Sequence, residues 1–544
     1  MTTFASISLM TTLASTDVMT AKLTIIAPEI LLFIGAVVVA VLGLSRAPAV
    51  RRSVPLVTSL FLALSIAVTA YVYRLDAVHT ANVPMPELGS YAKIVIAVIG
   101  ILLVMVGSSS VDRRLEEAFD SGRVAFDPIR VMRGEYFAFF LLALAGSMLL
   151  ASTSDLIWLF LALELASLPT YVMVAVSRGT RRAQEAAVKY FVLGAMAAAV
   201  SLYGFAMLYG ATGTLDLIVM KAKLAEQTAA GGLSALAVLG GVLAILGISF
   251  KLAAVPMHFY APDVYEGAAS HTTAFIAFVA KIAGVLALFS VLSVFWTSEG
   301  LPATLTVVLW MVAVLTMTLG NIGALLQRNV KRMMAYSSIA HSGYILIGLL
   351  AGAAAGGYQA ALFYLLCYGI MNTAILAVLA SLERAGEEVE TMEDLAGLRQ
   401  RHPILAWVIA ASAISLIGMP PLLGFFAKFT IFTAGIEGGQ TTLVIIAAVN
   451  SAISAYYYLQ WVTVPMLGTP NARTEGVHTI PSAWPRYAAV LCGLGVIVLP
   501  IGVSSLVKAA AVVGTENAAS PTADSSDNQL NERETASAAV ISAR

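Results

Sequence analysis

Five ionisable side chains fall where the sequence is otherwise apolar: Glu164 in LALELASLPT, Lys189 in AVKYF, Lys251 in ISFKLAAVP, Lys281 in FVAKIAG and Lys428 in GFFAKFTIF. A charge at the centre of a bilayer costs about 2.5–3.5 kcal/mol on insertion scales, so packing alone gives no reason to keep such groups. Their chemistry there is the handling of an ion or a proton. Lys189 follows the basic stretch SRGTRRAQEAA, where snorkelling to the interface would also account for it. Lys251, Lys281 and Lys428 lie too deep for that. Glu29, in APEILLF, fits a carboxylate at a helix N-terminus and is left outside the path. Pro256 follows Lys251, and Pro420 with Pro421 precedes Lys428, so both lysines neighbour a place where helix hydrogen bonding fails. Transmembrane helices are broken in this way only where the freed backbone is buried in protein or meets water, and transporters place binding sites there.

The chain around these residues is 544 residues long, 59% apolar and 11% charged. Soluble proteins carry charge on about a quarter of their residues. Runs long enough to cross about 30 Å of hydrocarbon occur at 24–44, 54–73, 94–110, 135–152, 154–176, 188–210, 235–256, 271–294, 303–325, 336–354, 358–382, 404–436, 441–466 and 487–508. They are continuously apolar rather than alternating, which excludes a membrane β-barrel. The fold class is an all-α polytopic membrane protein of about 14 transmembrane helices, with helices 7 and 12 broken at the prolines. Lys and Arg concentrate in the odd-numbered loops, 19 against 4 in the even ones (Arg74, Lys93, Lys221 and Lys223). By the positive-inside rule the odd loops are cytoplasmic and both termini lie on the opposite, periplasmic side.

Gly247-Ile-Ser-Phe-Lys251 and Gly424-Phe-Phe-Ala-Lys428 share G-x-x-x-K at a separation of 177 residues, and Glu164 plus 177 reaches His341. This register implies two five-helix repeats, at 135–294 (helices 4–8) and 303–466 (helices 9–13), the second inverted across the membrane because five is odd. The remaining parts are an N-terminal extension 1–23, helices 1–3 with their cytoplasmic loop at 24–134, helix 14 at 487–508 and a disordered tail at 515–544. Net charge is zero, so nothing recruits nucleic acid. Cys367 and Cys492 sit in apolar runs and cannot build a disulfide framework or a metal cage. No GxGxxG, GxxxxGK[ST], CxxC or HExxH occurs, so no cofactor or metal site is expected on this chain.

The stretches LALELASLPTYVMVA, FKLAAVPMHFYAPDVYEGAASHTTAFIAFVAKIAG, NVKRMMAYSSIAHSGYILIGLL, GMPPLLGFFAKFTIF and NSAISAYYYLQWVTVPML resemble the subunit N family of bacterial proton-pumping NADH:quinone oxidoreductase, respiratory complex I. The resemblance spans roughly residues 24–508. It implies that Glu164 is the family's helix 5 carboxylate, Lys251 its helix 7 lysine, Lys281 its bridging helix 8 lysine and Lys428 its helix 12 residue. His258, His341 and Lys189 match accessory charged positions. Sibling antiporter-like subunits carry glutamate on helix 12 or end in a long lateral helix, and Lys428 with no apolar run after 508 favours subunit N. The implied partners are the other membrane subunits of the complex, the bilayer and protons, in the bacterial inner membrane. FMN, iron–sulfur clusters, NADH and quinone are expected elsewhere in the parent complex.

The expected mechanism is a proton switch. An ion pair with Glu164 favours charged Lys251, and burial without that partner favours the neutral amine. His258 lies at i+7 from Lys251, on the same face if the helix continues past Pro256, and Lys281, His341 and Lys428 would carry the proton onward. Moving one proton against 100 mV costs about 2.3 kcal/mol, which partner subunits must supply. Competing readings are a subunit of a multisubunit cation/proton antiporter, a membrane-bound hydrogenase subunit, a stand-alone permease and a structural anchor.

Overall fold

The computed structural model describes residues 20–74, 86–108, 110–128, 130–297, 300–504 and 506–507; the tail 515–544 and the N-terminal stretch before residue 20 lie outside them. The described residues form a helical membrane bundle, as expected. Lipid offers no partner for backbone N–H and C=O groups, so each apolar run closes its hydrogen bonds as a helix. Among the described residues eleven helices are long and apolar enough to cross a membrane, or twelve if the 119° bend between Met392–Gln400 and Pro403–Ile417 lies within one span. Three of the fourteen expected runs fall outside the eleven because their helices are short. The first is Ala27–Gly43, the seventh stops at Ala235–Ser249, and the twelfth is split into Pro403–Ile417 and Leu423–Glu437.

Three helices form the interior. In the most apolar 18-residue window, every residue of Ser270–Ser293 and Gly357–Ser381 is buried, as is 94% of Val330–Ala351, against 33% in the peripheral helix Pro48–Val72. Lys281 and His341 lie on two of these central helices. Peripheral helices turn large apolar side chains outward, Trp158, Leu161, Phe191 and Met196 among them, as a lipid-facing surface requires. Several helix starts are fixed by side-chain caps. Asp155 accepts from the N–H groups of Ile157 and Trp158 at the head of the helix that bears Glu164, and Asn329 accepts from Lys331 and Arg332 at the head of the helix that bears His341.

The odd loops gather on one face. Arg51 pairs with Glu116 at 2.7 Å, Arg113 with Glu383, and Arg178 with Glu388. A three-stranded antiparallel sheet in the order β2-β1-β3 joins two of these loops, with β1 at Leu382–Arg384, β2 at Glu387–Glu388 and β3 at Val477–Thr479. On the opposite face, Lys22 donates to Ser154 in an even loop at 3.2 Å, which sets residue 22 beside the loop between the fourth and fifth runs. Burial pushes the Glu388 carboxyl up, but Lys331 and Arg178 outweigh it and hold the group down at about 2. A depressed carboxyl adds stability above its unfolded pKa and loses it as pH falls through its folded one. The hairpin therefore stays locked at neutral pH, and its lock is lost only between about pH 4.5 and pH 2.

Two assignments need correction. Lys93 is not a loop residue: it lies within Pro86–Gly107, is fully buried and sits 2.8 Å from Glu29, whose carboxylate is equally buried. Glu29 is thus a buried ion-pair partner rather than a simple N-terminal carboxylate. The Lys93 ammonium also donates to the Ile25 carbonyl at 2.8 Å and lies 5.6 Å from the centre of the Tyr73 ring. The apolar run begins earlier than hydropathy suggested, and a paired charge can sit inside it. Removing one partner of a buried pair costs about 3–5 kcal/mol, whereas replacing both by apolar groups is often neutral. Lys93→Met is therefore expected to lower the thermal midpoint of the purified complex, and Glu29→Leu combined with Lys93→Met to recover most of the loss, read by heat-induced loss of the folded fraction.

Candidate functional site

The seventh run ends as a helix at Ser249 and resumes at Tyr260, leaving residues 250–259 in turns around Pro256. The freed backbone is not left unpaired. The Val255 N–H donates to the Thr316 hydroxyl at 2.9 Å, the Ser342 hydroxyl donates to the Leu252 carbonyl at 2.5 Å, and the Tyr260 hydroxyl donates to the Phe250 carbonyl at 2.8 Å. Two side chains from other helices, Thr316 and Ser342, and Tyr260 at the end of the break thus take over the work of the missing helical bonds. Lys251 projects from the start of this break.

Its ammonium stands 3.5 Å from the Glu164 carboxylate and donates to the Ser167 hydroxyl. Glu164 and Ser167 are three residues apart on the helix Leu156–Ser177, so one helical face presents both. Ser167 donates its own proton to the Leu163 carbonyl, which orients its oxygen to accept from the lysine. Lys251 is buried, whereas the Glu164 side chain keeps 20% of its exposure. The carboxylate is the wetter end of the pair.

Gly284 carries the contact toward the next lysine. A Cβ there would meet the Lys251 Cβ at 3.0 Å and Leu252 Cδ1 at 2.4 Å, so the broken segment seats against the helix Ser270–Ser293 one turn from Lys281. Among the described residues Lys281 has neither an acidic partner nor a hydrogen bond. Its ammonium lies 5.6 Å from the centre of the Tyr368 ring, within range for a cation on an aromatic face. Tyr368 also stands 5.1 Å, centre to centre, from the His341 ring. His341 is buried between two hydroxyls, with Nδ1 2.6 Å from that of Tyr364 and Nε2 2.9 Å from that of Tyr458. The Tyr344 ring lies 5.7 Å from His341 and 5.3 Å from the Lys428 ammonium.

Lys428 closes the series at the second break. Pro403–Ile417 and Leu423–Glu437 flank residues 418–422, which hold Pro420 and Pro421. The Lys428 ammonium donates to the freed Ile417 carbonyl at 2.8 Å and to the Ser451 hydroxyl at 2.7 Å. Gly424 is required here, because a Cβ would lie 1.9 Å from the Ser415 carbonyl oxygen. Glu164, Lys251, Lys281, His341 and Lys428 therefore follow one another through the interior, with tyrosine rings between the later members.

Two expected members stand apart. His258 is buried but sits inside the break, so the helix does not continue from Lys251 and the i+7 relation does not place the two on one face. Lys189 is about half-exposed and pairs with Glu185 at 2.8 Å and Asp263 at 2.9 Å. Asp263 is held by Arg332 as well, which makes Lys189 part of a peripheral ion network. The two G-x-x-x-K segments also differ locally: Lys251 precedes the end of its break, while Lys428 follows its own. Gly247 of the first packs against Ser201, where a Cβ would meet the backbone nitrogen at 2.5 Å. The 177-residue register is thus not a match of local structure.

Sequence reasoning missed Ser167, Thr316, Ser342, Ser451 and the tyrosines. Ser167 was visible as the fourth residue of E-x-x-S on a helix, and Tyr364 with Tyr368 as an i, i+4 pair on one face. Thr316 and Ser342 carried no signal, because their partners are backbone groups of a distant break.

The chain matches the family described as NADH:quinone oxidoreductase/Mrp antiporter, TM, over residues 153–454, more than half its length and including Glu164, Lys251, Lys281, His341 and Lys428. NADH-quinone oxidoreductase subunit N 1 of Rhizobium meliloti is 37% identical over 85% of this chain and 92% of its own. The chain belongs to the subunit N family of NADH:quinone oxidoreductases. Subunit N of Halorhodospira halophila is 39% identical over 68% of this chain and 76% of its own. Among solved structures, a chain of respiratory complex I from Thermus thermophilus with bound aureothin aligns with a TM-score of 0.69 at 31% identity, covering 88% of this chain and 98% of that one. A chain of the Mrp complex from Dietzia sp. aligns at 0.71 with 21% identity, covering 91% of this chain and 97% of that one, and shares the fold.

The Thr316 hydroxyl is the acceptor that keeps Val255 N–H paired inside the bundle. Orphaning such a group costs about 1–3 kcal/mol. Thr316→Val is expected to lower the thermal midpoint of the assembled complex, and Thr316→Ser to leave it near wild type.

Proposed function

We propose that this chain is a proton-translocating membrane subunit of a bacterial NADH:quinone oxidoreductase, sited in the inner membrane with its arginine-rich loops toward the cytoplasm and both termini toward the periplasm. The single observation that carries the reading is the Glu164–Lys251 pair at a helix break, 3.5 Å apart and buried on the lysine side. A pair at this distance inside a low-dielectric bundle fixes the proton on the lysine while it is closed. Drawing the carboxylate away leaves a buried ammonium without its counter-charge and favours release of its proton. Lys281, with no acidic partner among the described residues, is the receiving amine, and His341 between two tyrosine hydroxyls links it to Lys428.

The energy comes from outside this chain. NADH oxidation, flavin and iron–sulfur electron transfer and quinone reduction belong to partner subunits, and the membrane partners are the other antiporter-like and small subunits of the complex. The subunit N relatives favour this assignment over a cation/proton antiporter or a hydrogenase subunit, since the Mrp likeness, at 21% identity, speaks to fold alone. Fold by itself does not choose between functions.

Lys251→Ala in membranes carrying the assembled complex, with assembly checked on a native gel, should reduce quinone-linked NADH oxidation and proton translocation together by tenfold or more. Undiminished pumping by an assembled Lys251→Ala complex would replace this reading with that of a structural anchor.

A further inference from the structure

A cavity of about 490 Å³ opens on the face where the arginine-rich loops gather, and its lining includes Asp112, Arg113, Arg178, Thr180, Glu388 and His271. At about 30 Å³ per water it has room for on the order of ten waters. His271 is 3% exposed, and neither ring nitrogen has a protein partner among the described residues. A buried imidazole usually satisfies at least one nitrogen, because an unpaired buried polar group costs about 1–3 kcal/mol. This one lines a polar, open cavity instead. It is also the second residue of the central helix Ser270–Ser293, which carries Lys281 ten residues further on.

The groups around His271 come from every side. Glu388 of the loop hairpin accepts from the Ser270 N–H at 3.0 Å and from the Ser270 hydroxyl at 2.6 Å, so it caps the same helix terminus. Arg178 and Lys331 pair with that carboxylate, Lys331 at 3.6 Å, and the Tyr136 ring packs edge-on against the imidazole at 5.4 Å. One carboxylate and two cations thus stand at the end of the helix that bears the imidazole. Hydroxyls line the way inward. Tyr136 and Thr272 share a hydrogen bond at 3.2 Å, Tyr265 and Ser338 share one at 2.9 Å, and Tyr368 faces Lys281. Ten residues of helix span about 15 Å, a distance that these hydroxyls with intervening water can subdivide.

We propose that this cavity is the proton-uptake mouth of the chain and that His271 is the group that takes a proton from cytoplasmic-side water and hands it inward toward Lys281. The step is a proton transfer alone: a hydrated proton binds one imidazole nitrogen, the other nitrogen releases its proton to the inner hydroxyl and water chain, and a neutral Lys281 amine receives it. The inference rests on the proton-path reading above and assigns that path an opening and a first carrier.

The test uses inverted membrane vesicles, cytoplasmic face outward, carrying wild-type, His271→Gln or Lys251→Ala complex. His271→Gln should assemble and slow coupled NADH oxidation and proton uptake several-fold at pH 8, less at pH 6 where protons are plentiful, and added imidazole should restore much of the rate. As a second probe, Ser110→Cys lines the same cavity, and modifying it with a bulky thiol reagent from outside the vesicle should slow turnover. Equal rates for His271→Gln and wild type across this pH range would overturn the proposal. So would a loss with no pH dependence and no imidazole rescue, or full modification of Ser110→Cys with no loss. If Lys251→Ala pumps normally, the proton-path reading itself fails; if Lys251→Ala is inactive while His271→Gln is normal, only the uptake mouth fails.

Discussion

Everything near the candidate site depends on one constraint: a helix inside a membrane can be broken only if other groups satisfy the backbone it frees. Residues 250–259 meet it through Thr316, Ser342 and Tyr260, and residues 418–422 through Ser415, Ser451 and Lys428 itself. Each break has a lysine beside it, Lys251 near the start of the first and Lys428 just after the second. The packing around the breaks is correspondingly close. Gly284 admits Lys251 and Gly424 admits Ser415, and at both points a methyl group would collide.

Buried charges are then sorted by what surrounds them. Glu29 and Lys93 have each other and no exposure, which is the arrangement of a fixed structural pair. Glu164 and Lys251 differ, since the carboxylate is partly exposed and the lysine shares its proton contacts with a serine. Lys281 and Lys428 have no carboxylate at all among the described residues. A path in which paired and unpaired amines alternate with tyrosines and a histidine can pass a proton if the pair opens, whereas a permanent ion pair would hold it. The three central helices are buried almost throughout their most apolar stretches, away from lipid and bulk solvent.

Much of this was legible in the sequence. The apolar runs, the lysines within them and the prolines beside two of those lysines are one-dimensional signals, and they located both breaks. The length of a break is not such a signal, so His258 was assigned a helical relation to Lys251 that ten residues of turns remove. Lys93 was assigned to a loop because a window average cannot see that Glu29, sixty-four residues earlier, compensates its charge. The 177-residue register matched letters rather than breaks. Fourteen expected runs stand against eleven or twelve candidate spans among the described residues, since interrupted or 17-residue helices fall short of the length that marks a span. Hydroxyl partners of the freed backbone were invisible because Ser and Thr are common in membrane helices and their targets lie far away in the chain.

The central claim is that Glu164 and Lys251 act as one unit in moving protons. A double-mutant cycle tests it most directly, with the rate of NADH-driven proton translocation measured for Glu164→Gln, Lys251→Met and the combination in assembled complexes. Residues that act as a unit are strongly non-additive. The account predicts that the double variant pumps no worse than the worse single variant; losses that multiply would mean that the two residues act independently and would contradict it.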